Sequence, residues 1–288
     1  MTAHRRIDHP VFPAATLDSM AALYPTRAGL LHHRLPDHKL LSLDALAALA
    51  DKLPPEQVEY NPGDVPIGIR PEDVPKSALS IADTIRTIDT NRSWAVLKNI
   101  ETQPAYRALL MDLLAELENV VVPRTGAMLT PQGFIFISSP GSITPYHFDP
   151  EHNILLQLRG RKVMHVWPEG DERFARRTEH ERYHTGGHRN LPWDEAFLDG
   201  VQKVPLGPGD AVLMPVMAPH FVANGDAPSI SLSITWRSEW SYREAEGHAA
   251  NAALRRMGLN PAMPPRWPNH ARAKTVGWRI ARKLRLVS

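Results

Sequence analysis

Apolar positions along this chain keep a helical rhythm up to about residue 125 and then change to short strand-like runs. The clearest helix is expected from Ala105 to Asn119, where Tyr106, Leu109, Leu110, Leu113, Leu114 and Leu117 recur three and four apart and form one buried stripe. A shorter helix is expected to start at a Ser42 cap and run through Ala50, stopping before Pro54-Pro55. From Gly133 the runs GFIFISS, HNILLQL, RKVMHVW, AVLMPV and SISLSITW, rich in β-branched and aromatic residues, read as strands. Arg159-Gly160 marks a tight hairpin between two of them, and Gly207-Pro208-Gly209-Asp210 is a turn. A His-x-Asp near the start of this region and a Pro-His near its end can meet only if the sheet curls. The expected fold is therefore mainly β with flanking helices, a double-stranded jelly roll. The expected division is a helical, turn-rich region over 1–125, the jelly-roll core over 126–242, and a helical segment with a basic tail over 243–288.

Composition narrows the partners without changing that picture. The 288 residues carry 33 basic and 31 acidic side chains, so a net charge of +2 gives no global case for nucleic acid or membrane. The chain has no cysteine, which removes disulfides, thiolate metal sites and cysteine nucleophiles together. Its 27 prolines are scattered, as suits many turns. No apolar run has the length of a membrane span and MTAHRRIDHPVFPAATL has no signal-like apolar stretch, so a cytoplasmic protein is expected.

Two polar stretches qualify this. Between Glu169 and Gln202 lie His180, His184 and His188, four apart; Gly186-Gly187 breaks the spacing and no acid or cysteine completes a ligand set, so a solvated loop or substrate lid is expected there in preference to a second metal site. Near the end, Ala249 to Met257 reads as a helix, and Arg272, Lys274, Arg279, Arg282, Lys283 and Arg285 follow with no acid among them. An exposed basic tail is the plain reading, with a nucleic-acid or anionic-membrane contact as its alternative.

The chemistry concentrates in Thr144-Pro145-Tyr146-His147-Phe148-Asp149 and in Pro219-His220. His147 and Asp149 are two apart, so on a strand both would project to one face and could chelate one ion. With His220 they would make a 2-His-1-carboxylate set, which suits non-haem iron and leaves coordination positions open. Thr144 lies three residues before His147, and Lys162 follows on the next strand beyond the hairpin. A lysine turned into a barrel is costly without a partner, and with a nearby hydroxyl it could hold a carboxylate.

In these residues the chain resembles the JmjC and cupin-like 2-oxoglutarate oxygenases, particularly the asparaginyl-hydroxylase type. The likeness rests on TPYHFDPEHNILLQLRGRKVMHVWP, VPLGPGDAVLMPVMAPHFVAN and SISLSITW, and spans roughly residues 130 to 240. The resemblance implies Fe(II) held by His147, Asp149 and His220, with 2-oxoglutarate as cosubstrate and dioxygen as oxidant. It further implies Thr144 and Lys162 on the cosubstrate carboxylate and Asn153 in the same pocket. Hydroxylation of a peptide, protein side chain or small molecule, coupled to decarboxylation of 2-oxoglutarate to succinate, is the activity implied. The presence of Asp149 argues against halogenation, since related halogenases lack that carboxylate. Two departures stand out: Thr235 occupies the place where the asparaginyl hydroxylases have an asparagine, and the aromatic hydroxyl that some members offer the cosubstrate has no evident counterpart. Helices at the end of the chain dimerise in some relatives, which leaves a homodimer open. The alternatives are a metal-binding cupin whose chemistry needs no 2-oxo acid, or a non-catalytic ligand-binding cupin, and Lys162 and Thr144 discriminate between these and the first reading. Tyr146, Phe148, Phe221, Trp236 and Trp240 are expected to fill the core more than to touch substrate.

Overall fold

The computed structural model describes residues 9–62, 67, 69, 73 and 79–285. In chain order its elements are α1 (Ala14–Leu23), β1 (Gly29–His32), α2 (Leu43–Ala50), β2 (Val58–Pro62), α3 (Ile81–Arg86), β3 (Ser93–Leu97), α4 (Pro104–Thr125), β4 (Leu129–Ser138), β5 (Ile143–His147) and β6 (His152–Arg159). They continue with β7 (Lys162–Val166), α5 (Arg177–Tyr183), β8 (Gln202–Leu206), β9 (Asp210–Met214), β10 (His220–Asn224), β11 (Ser229–Arg237), α6 (Glu239–Arg256) and α7 (Arg272–Lys283). The strands form a seven-stranded sheet in the order β1-β9-β6-β11-β4-β3-β2 and a four-stranded sheet in the order β5-β10-β7-β8. Every pairing is antiparallel, as a jelly roll requires.

Strand alternation decides which side of the large sheet meets what. On β11, Ile230, Leu232, Ile234 and Trp236 join the core beneath the helices, together with Ile154 and Leu156 of β6, Ile135 and Ile137 of β4, and Leu109, Leu113 and Leu117 of α4. Each fully buried leucine there contributes roughly 1.5–3 kcal/mol relative to exposure. The intervening Ser229, Ser231, Ser233 and Thr235 face the other way, toward the small sheet. Their hydroxyls are used: Ser231 donates to Gln157 and Ser233 to Asn153, at 2.6 and 2.7 Å. One end of the space between the sheets is filled by apolar side chains, including Leu155, Met164, Val166, Leu206, Val212 and Val222.

The stripe on α4 packs as its spacing predicts, though the helix runs longer, from Pro104 to Thr125, and stops at Gly126 with φ 84°. Ser42 caps α2 by accepting from the Ala45 amide. Other expectations need correcting. The region read as helical and turn-rich supplies β1, β2 and β3, which extend both edges of the large sheet, so residue 125 does not divide that sheet. These strands are four or five residues long, and β3 is buried throughout, so none is long enough to set a period against the surrounding sequence. Helix α6 begins ten residues before Ala249, at a capping box made by Ser238 and Ser241. The basic stretch is helix α7, not a tail.

At the β6–β7 hairpin, Gly160 has φ +71°, and a Cβ there would lie 2.2 Å from the Pro228 carbonyl oxygen. Gly160→Ala should therefore destabilise the fold by at least about 2 kcal/mol, read as a lower urea midpoint.

Candidate metal centre

Antiparallel pairing of β5 with β10 sets His147 directly across from His220. Between His220 and Val222 the register shifts, so Pro145 and Tyr146 of β5 oppose the single Phe221 of β10 and Val222 faces Thr144. That bulge matters because Thr144 and His147 are three apart, and simple alternation would turn them to opposite faces. Asp149 lies two residues beyond the end of β5, so the loop, not the strand pleat, brings its carboxylate in. The Met217 amide donates to the Asp149 carbonyl at 2.7 Å and fixes that loop.

The two imidazoles are oriented alike. Nδ1 of His147 lies 2.7 Å from the Pro145 carbonyl and Nδ1 of His220 lies 2.9 Å from the Ala218 carbonyl. A carbonyl only accepts, so each Nδ1 carries the hydrogen and each Nε2 presents a lone pair. Both Nε2 atoms point at Asp149 Oδ2, from 3.7 and 3.6 Å. Among the described residues these three are the set whose ligand atoms all lie within 4.8 Å of one another. Burial, reinforced by His220, holds His147 well below its usual pKa, and burial lowers His220 as well, so both imidazoles are neutral. Burial would raise Asp149, but the adjacent, hydrogen-bonded Arg189 guanidinium leads the opposing effects and the carboxyl is brought to about 2. Two neutral nitrogens and one carboxylate oxygen fit a divalent first-row metal.

A cavity of about 540 Å³ opens beside this trio. Thr144, Asn153, His147 and Asp149 line it, with Trp94 and Phe136 among its apolar walls. Lys162 is buried on the inner face of β7, cross-strand from Asn224 and Leu206, with β10 between it and Thr144, and is not itself among the cavity walls. No acid among the described residues pairs with it, and burial lowers its pKa to about 7. The Asn224 side-chain oxygen nearby on β10 is likewise buried without a partner. A buried ammonium with no counter-charge is a place for an anion.

Residues that the sequence did not point to complete the rim. Arg189 donates to Asp149 Oδ1 at 2.9 Å, which leaves Oδ2 toward the histidines. His188, Asn190, Glu59 and Lys98 line the same opening. They come from segments remote in sequence, and only His188 was marked by a spacing. Of the three histidines four apart, only His188 reaches the cavity. His180, expected in a solvated loop, is instead buried on α5, stacked on His248 of α6 at 4.9 Å and against Phe148 at 5.0 Å. His184 stacks on His248 at 5.4 Å. The aromatic residues Tyr146, Phe148, Phe221, Trp236 and Trp240 are all buried, as expected.

The family model described as Cupin-like domain matches residues 76–242. Among solved structures, the X-ray structure of Escherichia coli YcfD is similar with a TM-score of 0.55 at 18% identity, covering 97% of this chain and 70% of that one. YcfD described as a ribosomal oxygenase from Escherichia coli, in complex with cobalt and 2-oxoglutarate, gives 0.53 at 17% identity, covering 96% and 68%. At such identity the likeness is one of fold. No curated protein matches the chain.

The unpaired lysine makes stability depend on pH. Between pH 7 and the usual lysine value an unfolded chain holds a proton on Lys162 that the folded chain has shed, so folding gains as pH rises through that window. Without metal or dicarboxylate, the stability of the wild type minus that of Lys162→Met should increase from pH 7 to pH 10, by at most about 1.4 kcal/mol per pH unit. Urea melts across that range check it, and a flat difference would mean that the ammonium has a counter-charge.

Proposed function

Since the chain belongs to the cupin-like domain family, we propose that it is an Fe(II)- and 2-oxoglutarate-dependent oxygenase, acting as a hydroxylase. The observation that carries this reading is Lys162, buried without an anionic partner on the sheet that bears both histidines. A cupin needing only a metal has no use for that charge, and a dicarboxylate cosubstrate does.

In this reading His147 and His220 hold Fe(II) through Nε2 and Asp149 holds it through Oδ2, with Arg189 occupying Oδ1 and keeping the carboxylate to one point of attachment. The iron, when bound, couples dioxygen reduction to oxidative decarboxylation of 2-oxoglutarate, giving succinate, carbon dioxide and a hydroxylated substrate. Lys162 and Thr144 take the far carboxylate of the cosubstrate as a charge-assisted pair. The Asn153 oxygen accepts from Ser233, which leaves its NH₂ as the group offered to the cavity. Trp94, Phe134 and Phe136 form an apolar wall that keeps bulk water from the reacting carbon. YcfD carries the description ribosomal oxygenase, which favours a protein side chain over a free small molecule as the substrate here.

Anaerobic addition of Fe(II) and 2-oxoglutarate should produce a visible metal-to-ligand charge-transfer band. Asp149→Ala should abolish it. Lys162→Ala should retain metal while weakening 2-oxoglutarate about 100-fold, the scale of leaving one member of a buried charge pair alone. Undiminished cosubstrate affinity in that variant would transfer the chain to the cupins that need no 2-oxo acid.

A further inference from the structure

Residues 247–288 carry nine lysines and arginines and no aspartate or glutamate, in a chain whose net charge is only +2. The rest of the chain is therefore net acidic, and the positive charge is segregated into one region. Part of it is matched internally: Arg255 by Glu181, Arg266 by Glu169 and Glu244, and Arg279 by Glu246. Arg272, Arg282, Lys283 and Arg285, on or just beyond α7, have no acidic partner among the described residues.

Helix α7 touches the body along a narrow strip. Trp278 packs on Ala249 and Ala250 of α6, and the Thr275 hydroxyl donates to the Arg243 carbonyl. Away from that strip, Val276, Ile280 and Leu284 recur four apart and stand in line on successive turns, 55%, 54% and 62% exposed. On the helical wheel Arg272, Arg279 and Lys283 run along one border of this line, and the small Ala273 and Gly277 lie on its other side. An apolar line that the protein leaves in water, edged by the unmatched cations Arg272 and Lys283, has the two attributes of a helix that lies in a lipid interface.

We propose that α7 is an interfacial docking helix for an anionic lipid surface, with Val276, Ile280 and Leu284 entering the acyl boundary and Arg272, Lys283 and Arg285 meeting headgroup phosphates. Charge complementarity selects this occupant. A second copy of α7 across a two-fold axis would set one basic border against another with no acid on either. Nucleic acid would satisfy the cations but offers nothing to the apolar line. Attachment is peripheral, since no helix among the described residues is long and apolar enough to cross a membrane. Three apolar side chains and a few cations give reversible, salt-sensitive binding.

The test is vesicle flotation of the whole chain with phosphatidylcholine alone and with phosphatidylglycerol added. The chain should float with the anionic vesicles, remain free with the neutral ones, and be released by high salt. Val276→Glu and Ile280→Glu should each lower binding on the order of tenfold with unchanged circular dichroism and melting temperature. A combined Arg272→Gln, Lys283→Gln, Arg285→Gln variant should lose the preference for anionic lipid. Wild-type chain that fails to float, or floats regardless of phosphatidylglycerol or of Ile280→Glu, overturns the proposal. So does a dimer by light scattering that Ile280→Glu dissociates, which would give the line to a second copy. Tighter binding to RNA than to vesicles, indifferent to Ile280→Glu, would give the cations to nucleic acid and likewise overturn it.

Discussion

The pairing of β5 with β10 is the constraint on which the site depends. It places His147 and His220 directly opposite one another, 4.1 Å between ring centroids, although 73 positions separate them in the chain. Once they are opposed, two backbone carbonyls turn both lone pairs inward, and the loop after β5 needs to deliver only one carboxylate. The bulge in the same pair then rotates Thr144 onto the inner face. The two candidate metal-binding histidines and the candidate cosubstrate hydroxyl therefore share one structural cause, the pairing of two strands.

The large sheet answers this with an unusual division of labour. Its apolar alternation faces the helices and its hydroxyl alternation faces the site, so β11 serves two environments with one strand. Burying Ser231 and Ser233 would be costly if their hydroxyls were free, yet Gln157 and Asn153 satisfy them. Lys162 stands out against this background of satisfied polar groups. No acid among the described residues neutralises it, and that contrast gives the buried ammonium its meaning.

Much of this was legible in the sequence because local pattern and chemistry coincide between residues 130 and 240. The run HNILLQL carries Asn153 at its head, RKVMHVW carries Lys162, and Pro219-His220 opens the strand that closes the shell. Legibility failed where tertiary context overrides pattern. Strands β1 to β3 are too short to show a period, and α6 turns Glu244 and His248 inward, polar residues that hide its buried face. Arg189 was invisible for a different reason. It belongs to no periodic element, and only the fold brings it to its partner Asp149, forty residues away in the chain.

That same arginine shows how distant parts of the chain bear on the centre. Residues 188–190 follow α5, and α5 is tied to α6 by the paired contact of Arg255 with Glu181, at 2.7 and 3.0 Å, and by the stacking of His180 and His184 on His248. The start of the same insert is tied in too, since Arg266 pairs with both Glu169 and Glu244. Helix α6 extends beyond the residues matched by the cupin-like domain, yet through these contacts it braces the segment that holds Asp149. The rim of the site is thus anchored from outside the β shell, and the position of the carboxylate depends on helices as well as on strands.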